Sequence, residues 1–113
     1  MGDVRIEAQL RDCLGSALGR QGRNREAREC LRMAIDLLAD TSDQVSRALV
    51  LCSTAENEAL DGQESNTFWA LNQASAIFAK CDGNSDSELG RRLLQVKALA
   101  SSTFNHGLQS QDP

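Results

Sequence analysis

The side chains that most often perform chemistry are few and scattered in this 113-residue chain. Cys13, Cys30, Cys52 and Cys81 lie far apart with no CxxC pair, and the one histidine is His106. Structural zinc and iron–sulfur sites need closely spaced ligands, so neither is predicted. Catalysis by a Cys or Ser nucleophile needs an adjacent base, and His106 lies in a polar tail. We therefore expect a non-enzymatic protein with no metal and no cofactor.

The amino-acid composition further limits the class of protein to which this chain can belong. With 41% hydrophobic and 25% charged residues, the sequence is typical of one domain spanning residues 1–113. No apolar stretch approaches the roughly 20 residues of a membrane span, and no signal core begins the chain, so we expect a cytoplasmic protein without a membrane partner. The net charge of −4 has the wrong sign for binding nucleic acid. Because three of the four cysteines fall on apolar stripes, we expect buried free thiols.

Apolar residues recur with the period of an α-helix along most of the chain. The single proline is at position 113, and the glycines mostly separate these periodic segments. The sequence therefore predicts an all-α fold of five helices joined by short turns. Their expected bounds are about 4–21, 25–39, 43–60, 66–80 and 86–105, with a polar tail over 106–113.

In each helix we expect the apolar stripe to face the core. The third helix has a broad arc that includes Val45 and Leu60, which indicates neighbours on more than one side. The fifth helix has a clean stripe from Leu89 to Phe104, while Leu94 and Leu99 lie off it. The stripe of the first helix comprises Ile6, Leu10, Cys13, Leu14, Ala17 and Leu18.

Short polar side chains before the helices predict N-caps, because their oxygens accept from free first-turn N–H groups. We assign Asn24 to the second helix. Thr41 with Gln44 forms a capping box for the third helix, and Ser85 with Glu88 forms one for the fifth.

The two helical pairs show a weak internal repeat. Ala34-Ile35 recurs as Ala76-Ile77, about 42 residues later, and Gly22 and Gly62 are about 40 residues apart. Small residues in the first pair alternate with large ones at helical spacing, which lets helix backbones approach closely. This pattern resembles the tetratricopeptide (TPR) repeat family, in its longer variant of about 40 to 42 residues. The residues that carry the resemblance are Leu14-Gly15, Leu18, Ala27, Leu31 and Ala34.

The resemblance implies a TPR-like α-solenoid of antiparallel helix pairs, about 4–39 and 43–80, with the fifth helix as a cap. In the second pair, Ala55 would take the place of Leu14, and Ala74 that of Leu31. Family members commonly hold a peptide or partner helix in a groove lined by the first helix of each pair, as scaffold or adaptor modules do. The groove positions implied here are Gln9, Asp12, Ser16, Arg20, Ser46, Ser53 and Asn57.

Two alternatives stay open at this point. The chain would be a self-associating structural subunit if Leu94 and Leu99 form a homodimer interface, with Trp69 either joining it or packing under the fifth helix. It would be a regulatory TPR fragment if it belongs to a larger transcription or signalling protein. An arginine-rich segment between Arg20 and Arg32 is interpreted either as a site for an acidic partner or as a solvated face.

Overall fold

The computed structural model describes residues 3–81 and 83–104, and every regular element in these ranges is an α-helix. The five helices agree with the predicted bounds to within a few residues. The predicted tail 106–113, including His106, lies outside the described residues. None of the described helices has the length and apolar character to cross a membrane. The helices are α1 (Val4–Arg20), α2 (Asn24–Ala39), α3 (Gln44–Leu60), α4 (Glu64–Cys81) and α5 (Glu88–Phe104).

The turns α1–α2 and α3–α4 have the same backbone geometry. Gly22 and Gly62 have φ values of 82° and 75°, a left-handed conformation that glycine adopts without a steric penalty. At both turns, the residue after the glycine donates its N–H to the carbonyl five positions earlier, at 2.9 and 2.8 Å. These bonds close each helix and turn the chain back on itself. The molecule therefore contains two similar helical hairpins, α1–α2 and α3–α4, whose helices begin 40 residues apart.

Burial fixes the register of this internal repeat at 40 residues. The predicted match of Ala34 with Ala76 is wrong, because Ala34 is buried and Ala76 is exposed. An alignment based on identical residues is wrong here, because the repeat is defined by the positions that are buried against neighbouring helices. The predicted replacements of Leu14 by Ala55 and of Leu31 by Ala74 are displaced for the same reason. The buried pairs in the correct register are Ala8 with Ala48, Gly15 with Ala55, Leu31 with Leu71, and Ala34 with Ala74.

Close approach of α1 to α2 depends on small residues. A Cβ on Gly15 would lie 2.8 Å from Leu31 Cγ and 3.2 Å from the Ala27 carbonyl oxygen, so the two backbones could not approach as closely with a larger side chain. At the centre of the fold, α3 packs against α1, α2, α4 and α5. The prediction that this helix has neighbours on more than one side is confirmed.

The predicted inward stripe of α1 is wrong. Ile6, Leu10 and Leu14 are 58%, 65% and 52% exposed, and Cys13 and Ala17 are exposed beside them. The small-residue side of α1 packs against α2 and α3, because only small side chains leave room for the close contact. The large aliphatic side therefore faces outward. The buried residues of α1 are Ala8, Gly15 and Gly19.

The remaining stripes are largely confirmed. Ala27, Leu31, Ala34 and Leu38 of α2 are buried, as predicted. Val45 and Leu60, however, are 36% and 49% exposed because they lie at the two ends of α3, beyond the neighbouring helices. The predicted stripe of α5 is confirmed by its buried members Leu89, Leu93, Val96 and Ala100.

The predicted N-caps are displaced. Asp43, not Thr41, caps α3 by accepting a first-turn N–H at 3.0 Å, because α3 begins at Gln44 and Asp43 directly precedes it. The Thr41 hydroxyl donates to a carbonyl of α2 and accepts from the Asp43 N–H, ahead of the helix. Asn24 is the first residue of α2 rather than its cap, and its side chain bonds to the α3–α4 turn. Ser87, rather than Ser85, accepts a first-turn N–H of α5 at 3.0 Å.

All four cysteines are free thiols, as expected, but their burial differs from the prediction. Cys52 is buried and Cys30 is half-buried, whereas Cys13 and Cys81 are exposed. Cys13 lies on the outward side of α1, and Cys81 is the last residue of α4. Burial raises the pKa of the Cys52 thiol to about 11, so this thiol stays protonated at neutral pH.

Candidate functional site

A groove of about 530 Å³ runs along the side of the molecule where α1, α3 and α5 are adjacent. Gln9 and Asp12 of α1 face it, together with Ser46 and Ser53 of α3. Arg92, in the first turns of α5, also lines the groove and contributes a positively charged guanidinium. The groove is therefore lined mainly by three helices that are distant in sequence, with Leu38 of α2 also contributing.

Asp12 contributes a half-buried carboxyl group to the lining of this groove. Burial raises the pKa of its carboxyl, while a hydrogen bond with Ser53 and the positive charge of Arg92 oppose the rise. Ser16, one turn along α1, donates to Asp12 Oδ1 at 3.4 Å. Among the described residues, this carboxylate therefore has polar contacts but no ion-pair partner at bonding distance, and it remains able to accept a hydrogen bond from a ligand.

Glu56 connects the three helices beside the groove. Its Oε1 accepts from Arg92 Nη2 at 2.9 Å and lies 3.8 Å from Arg20 Nη2. The side chains of Glu56 and Arg92 are only 20% and 24% exposed, so water screens this pair incompletely. The pair fixes the position of the Arg92 guanidinium relative to α3, and so shapes one wall of the groove.

The groove lining carries more negative than positive charge. Asp43 stays ionised at neutral pH, because hydrogen bonds from the side chain and backbone of Ser46 lower the pKa of its carboxyl. The ionisable side chains of the lining are Asp3, Asp12, Asp43 and Glu88 against Arg5 and Arg92.

The structure brings four of the seven predicted groove residues together: Gln9, Asp12, Ser46 and Ser53. Ser16 adjoins the groove through its bond to Asp12, and Arg20 lies beyond the lining, beside Glu56.

Asn57 does not belong to the groove. It is 2% exposed, and its amide lies against Gly19, where a Cβ would be 2.5 Å from Asn57 Oδ1. Neither polar atom of this side chain has a hydrogen-bond partner. Asn57 is therefore a core residue between α1 and α3.

Sequence reasoning missed the contribution of α5 and of Glu56. Arg92 is not predicted because the resemblance implies that the fifth helix is a cap, and a cap is not expected to line the groove. No local pattern indicates that α5 packs against α3.

The three residues predicted as a possible interface differ in their exposure. Trp69 is 59% exposed, so it does not pack beneath α5, and Leu94 is 60% exposed. Leu99 is half-buried. The aromatic contact with α5 is made instead by Phe68, whose ring centre lies 5.9 Å from that of Phe104.

The arginine-rich segment is largely paired within the molecule. This favours the interpretation as a solvated face over a site for an acidic partner, because four of the five guanidiniums already have a carboxylate neighbour. The pairs are Arg20 with Glu56, Arg23 with Glu26, Arg28 with Glu58, and Arg32 with Asp36.

Over residues 3–81 and 83–104, no three or more Cys, His, Asp and Glu side chains are grouped so as to hold a metal ion. Comparisons with known proteins found no matching family model, no similar curated protein and no similar solved structure.

Proposed function

We propose that this chain is a non-enzymatic, cytoplasmic protein-interaction module that holds a peptide or partner helix in the groove along α1, α3 and α5. The observation that carries the proposal is the convergence of Asp12, Ser46, Ser53 and Arg92, from three helices, on one open groove. Polar groups held by rigid helices, with an Asp12 carboxylate that can accept a further hydrogen bond, are suited to recognising the backbone and side chains of another chain.

A TPR-like α-solenoid is the architecture that best accounts for this groove. Two hairpins with matching turns, offset by 40 residues, support it, as does the contact of α3 with both α1 and α5. In such a stack, the first helices of successive hairpins are neighbours along one side. Their polar positions then form a continuous surface, which is the surface that TPR proteins commonly use.

The charge of the groove indicates the class of ligand. Four carboxylates against two guanidiniums favour a segment that carries Lys or Arg and disfavour an acidic one. A free terminal carboxylate is the least suitable ligand, because Asp12 would repel it in a poorly screened site.

A random dodecapeptide library displayed on phage tests this proposal without knowledge of the natural partner. We expect the selected peptides to be enriched in Lys and Arg. Binding of one selected peptide is then measured by fluorescence anisotropy to the parent, to Asp12→Asn, and to Glu29→Gln. The Glu29→Gln control removes one exposed carboxylate of α2 that lies outside the groove.

We expect Asp12→Asn to weaken binding by about tenfold, equivalent to about 1.4 kcal/mol, and Glu29→Gln to leave it unchanged. Circular dichroism of each variant establishes that the helices are retained. Selection of acidic peptides, or equal binding by the parent and Asp12→Asn, would contradict the proposal.

A further inference from the structure

The outward side of α1 carries an apolar strip. We call it the α1 outer face and define it by Ile6, Leu10, Cys13, Leu14 and Ala17. Its three large side chains are spaced by one helical turn and are 52% to 65% exposed, and no described helix covers them. Contiguous exposed aliphatic residues on a small domain indicate a contact surface more often than a solvated one.

The internal repeat shows how the α3 residue equivalent to Leu10 is used. At the offset of 40 residues, Leu10 corresponds to Val50. Val50 is 3% exposed and packs in a cluster with Leu31, Ala34 and Leu38 of the preceding hairpin. The position is thus a helix-packing position in this fold. On α3 a helix covers it, and on α1 it is bare.

The other end of the helix stack has a different character. On α5, Leu94 is the one large hydrophobic residue that is well exposed within the described range. Its exposed neighbours on the helix are mainly polar: Arg91, Gln95, Ala98, Ser101 and Ser102. This end does not complement the α1 outer face, so head-to-tail stacking of copies is disfavoured. The same aliphatic surface on a second copy of the chain is its best complement, and two copies that share one surface are related by a two-fold axis.

We propose that the α1 outer face is the interface between two copies of this chain, with the two α1 helices antiparallel and Leu10 on the two-fold axis. Ile6 and Leu14 are equidistant from Leu10 in sequence, so each packs against the other in the partner copy. Glu7 and Arg11 lie on the same flank of the strip, where they pair within one helix at 3.1 Å. The two-fold axis brings Glu7 of one copy near Arg11 of the other, so the charged flank is complementary as well.

The α1 outer face overlaps one edge of the groove. Ile6 and Cys13 belong to both, but Leu10 does not contribute to the groove lining. Substitutions at Leu10 therefore test the interface without altering the groove. Leu94 provides a matched control, since it is a helical leucine with almost the same exposed fraction, 60% against 65%.

Sedimentation equilibrium over a concentration series tests the proposal with the parent, Leu10→Glu, Leu10→Gln and Leu94→Glu. We expect the parent and Leu94→Glu to reach twice 12.3 kDa. Both Leu10 variants should dissociate at least about tenfold more readily, because the interface would bury a charge or an amide without a partner. Leu10→Gln keeps a good helix former, so one variant remains informative if Leu10→Glu unfolds.

A cross-linking experiment tests the geometry. In a Cys13→Ser and Cys81→Ser background, Leu10→Cys should form a covalent dimer with mild oxidant, because a residue on a two-fold axis faces its own copy. Leu94→Cys in the same background should form no covalent dimer. A parent that is monomeric at every concentration overturns the proposal and leaves the face to a different partner. A dimer that survives both Leu10 variants and is lost in Leu94→Glu overturns it as well, and assigns the interface to α5.

Discussion

The ion-pair network between the two hairpins yields the sharpest test of the fold. The carboxylate of Glu58 is only 4% exposed and accepts from Arg28 Nε at 2.7 Å and Nη2 at 3.0 Å. Arg28 Nη2 also donates to Asp61 at 2.9 Å, and Asn66 donates to Glu58 at 3.2 Å. Since Arg28 belongs to α2 and its partners belong to the second hairpin and the turn within it, this network joins the two hairpins.

The magnitude follows from what Arg28→Met removes. Methionine keeps much of the aliphatic stem but deletes three hydrogen bonds to carboxylates, and Glu58 then remains charged and buried with Asn66 as a donor. Breaking a fully buried pair costs about 3 to 5 kcal/mol. Arg28 is itself 42% exposed, so water enters the vacated space. We therefore expect a loss of about 2 to 3 kcal/mol, the upper range for a hydrogen-bonded charge.

Urea unfolding followed by far-UV circular dichroism measures this loss. The matched control is Arg32→Met, on the same helix, where Glu29 and Asp36 are exposed partners and the expected change is within about 0.5 kcal/mol. Adding Glu58→Gln to Arg28→Met should recover part of the loss, because it removes the unpaired charge. Equal stabilities of Arg28→Met and Arg32→Met would refute the reasoning.

Three further predictions concern packing, ionisation and backbone conformation. By thermal unfolding, Ala34→Leu and Ala74→Leu should each cost about 1 to 3 kcal/mol through overpacking, while exposed Ala76→Leu stays within about 0.5 kcal/mol; a similar loss at all three positions would contradict the 40-residue register. Because burial raises the pKa of Asp12 above 3.8, its ionisation destabilises the fold as the pH rises through the native pKa. Asp12→Asn should thus be more stable than the parent at neutral pH in urea titrations, with the advantage vanishing below about pH 3.8, and a pH-independent difference would exclude this cause. Gly22→Ala should cost about 1 to 2 kcal/mol by the same titration because of its φ of 82° alone, since a Cβ there meets nothing within 4 Å; an unchanged midpoint would show that the turn relaxes freely.

The helices could be predicted from the sequence because their signals are local. Glycines such as Gly22 and Gly62 end the helical patterns, and polar residues precede the next helix. Cap assignments failed by one or two residues because several short polar side chains compete for the same N–H groups. Asp43 rather than Thr41 caps α3, for example, because Asp43 directly precedes the helix, whereas the Thr41 oxygen accepts from the Asp43 N–H ahead of the first turn.

The groove could be predicted only in part, because it depends on how helices stack. Asp12, Ser46 and Ser53 were found through the family resemblance, which identifies a face of each first helix. Arg92 depends on the placement of α5 against α3, to which no local pattern points. The prediction that Asn57 lines the groove is wrong for a geometric reason. Asn57 shares a helix face with Ser53, but Gly19 lets α1 approach so closely that this part of the face is covered.

The outward stripe of α1 explains why periodicity alone misplaced the core. A first helix in a stack of hairpins has two kinds of contact, one with its own partner helix and one with the preceding hairpin. The first contact is close and selects small residues, as at Gly15, while the second is wider and accepts large aliphatic ones, as at Val50. Hydropathy values are highest for large aliphatic residues, so a hydropathy pattern identifies the face that contacts the preceding hairpin. It overlooks the face of glycine and alanine that packs against the partner helix of the same hairpin. On α3 both faces are covered by other helices, so assigning its large aliphatic face to the core causes no error there. On α1 the stacking face is bare, and the same aliphatic residues that misled the assignment of the core are those that make this end of the molecule suited to contact another helix.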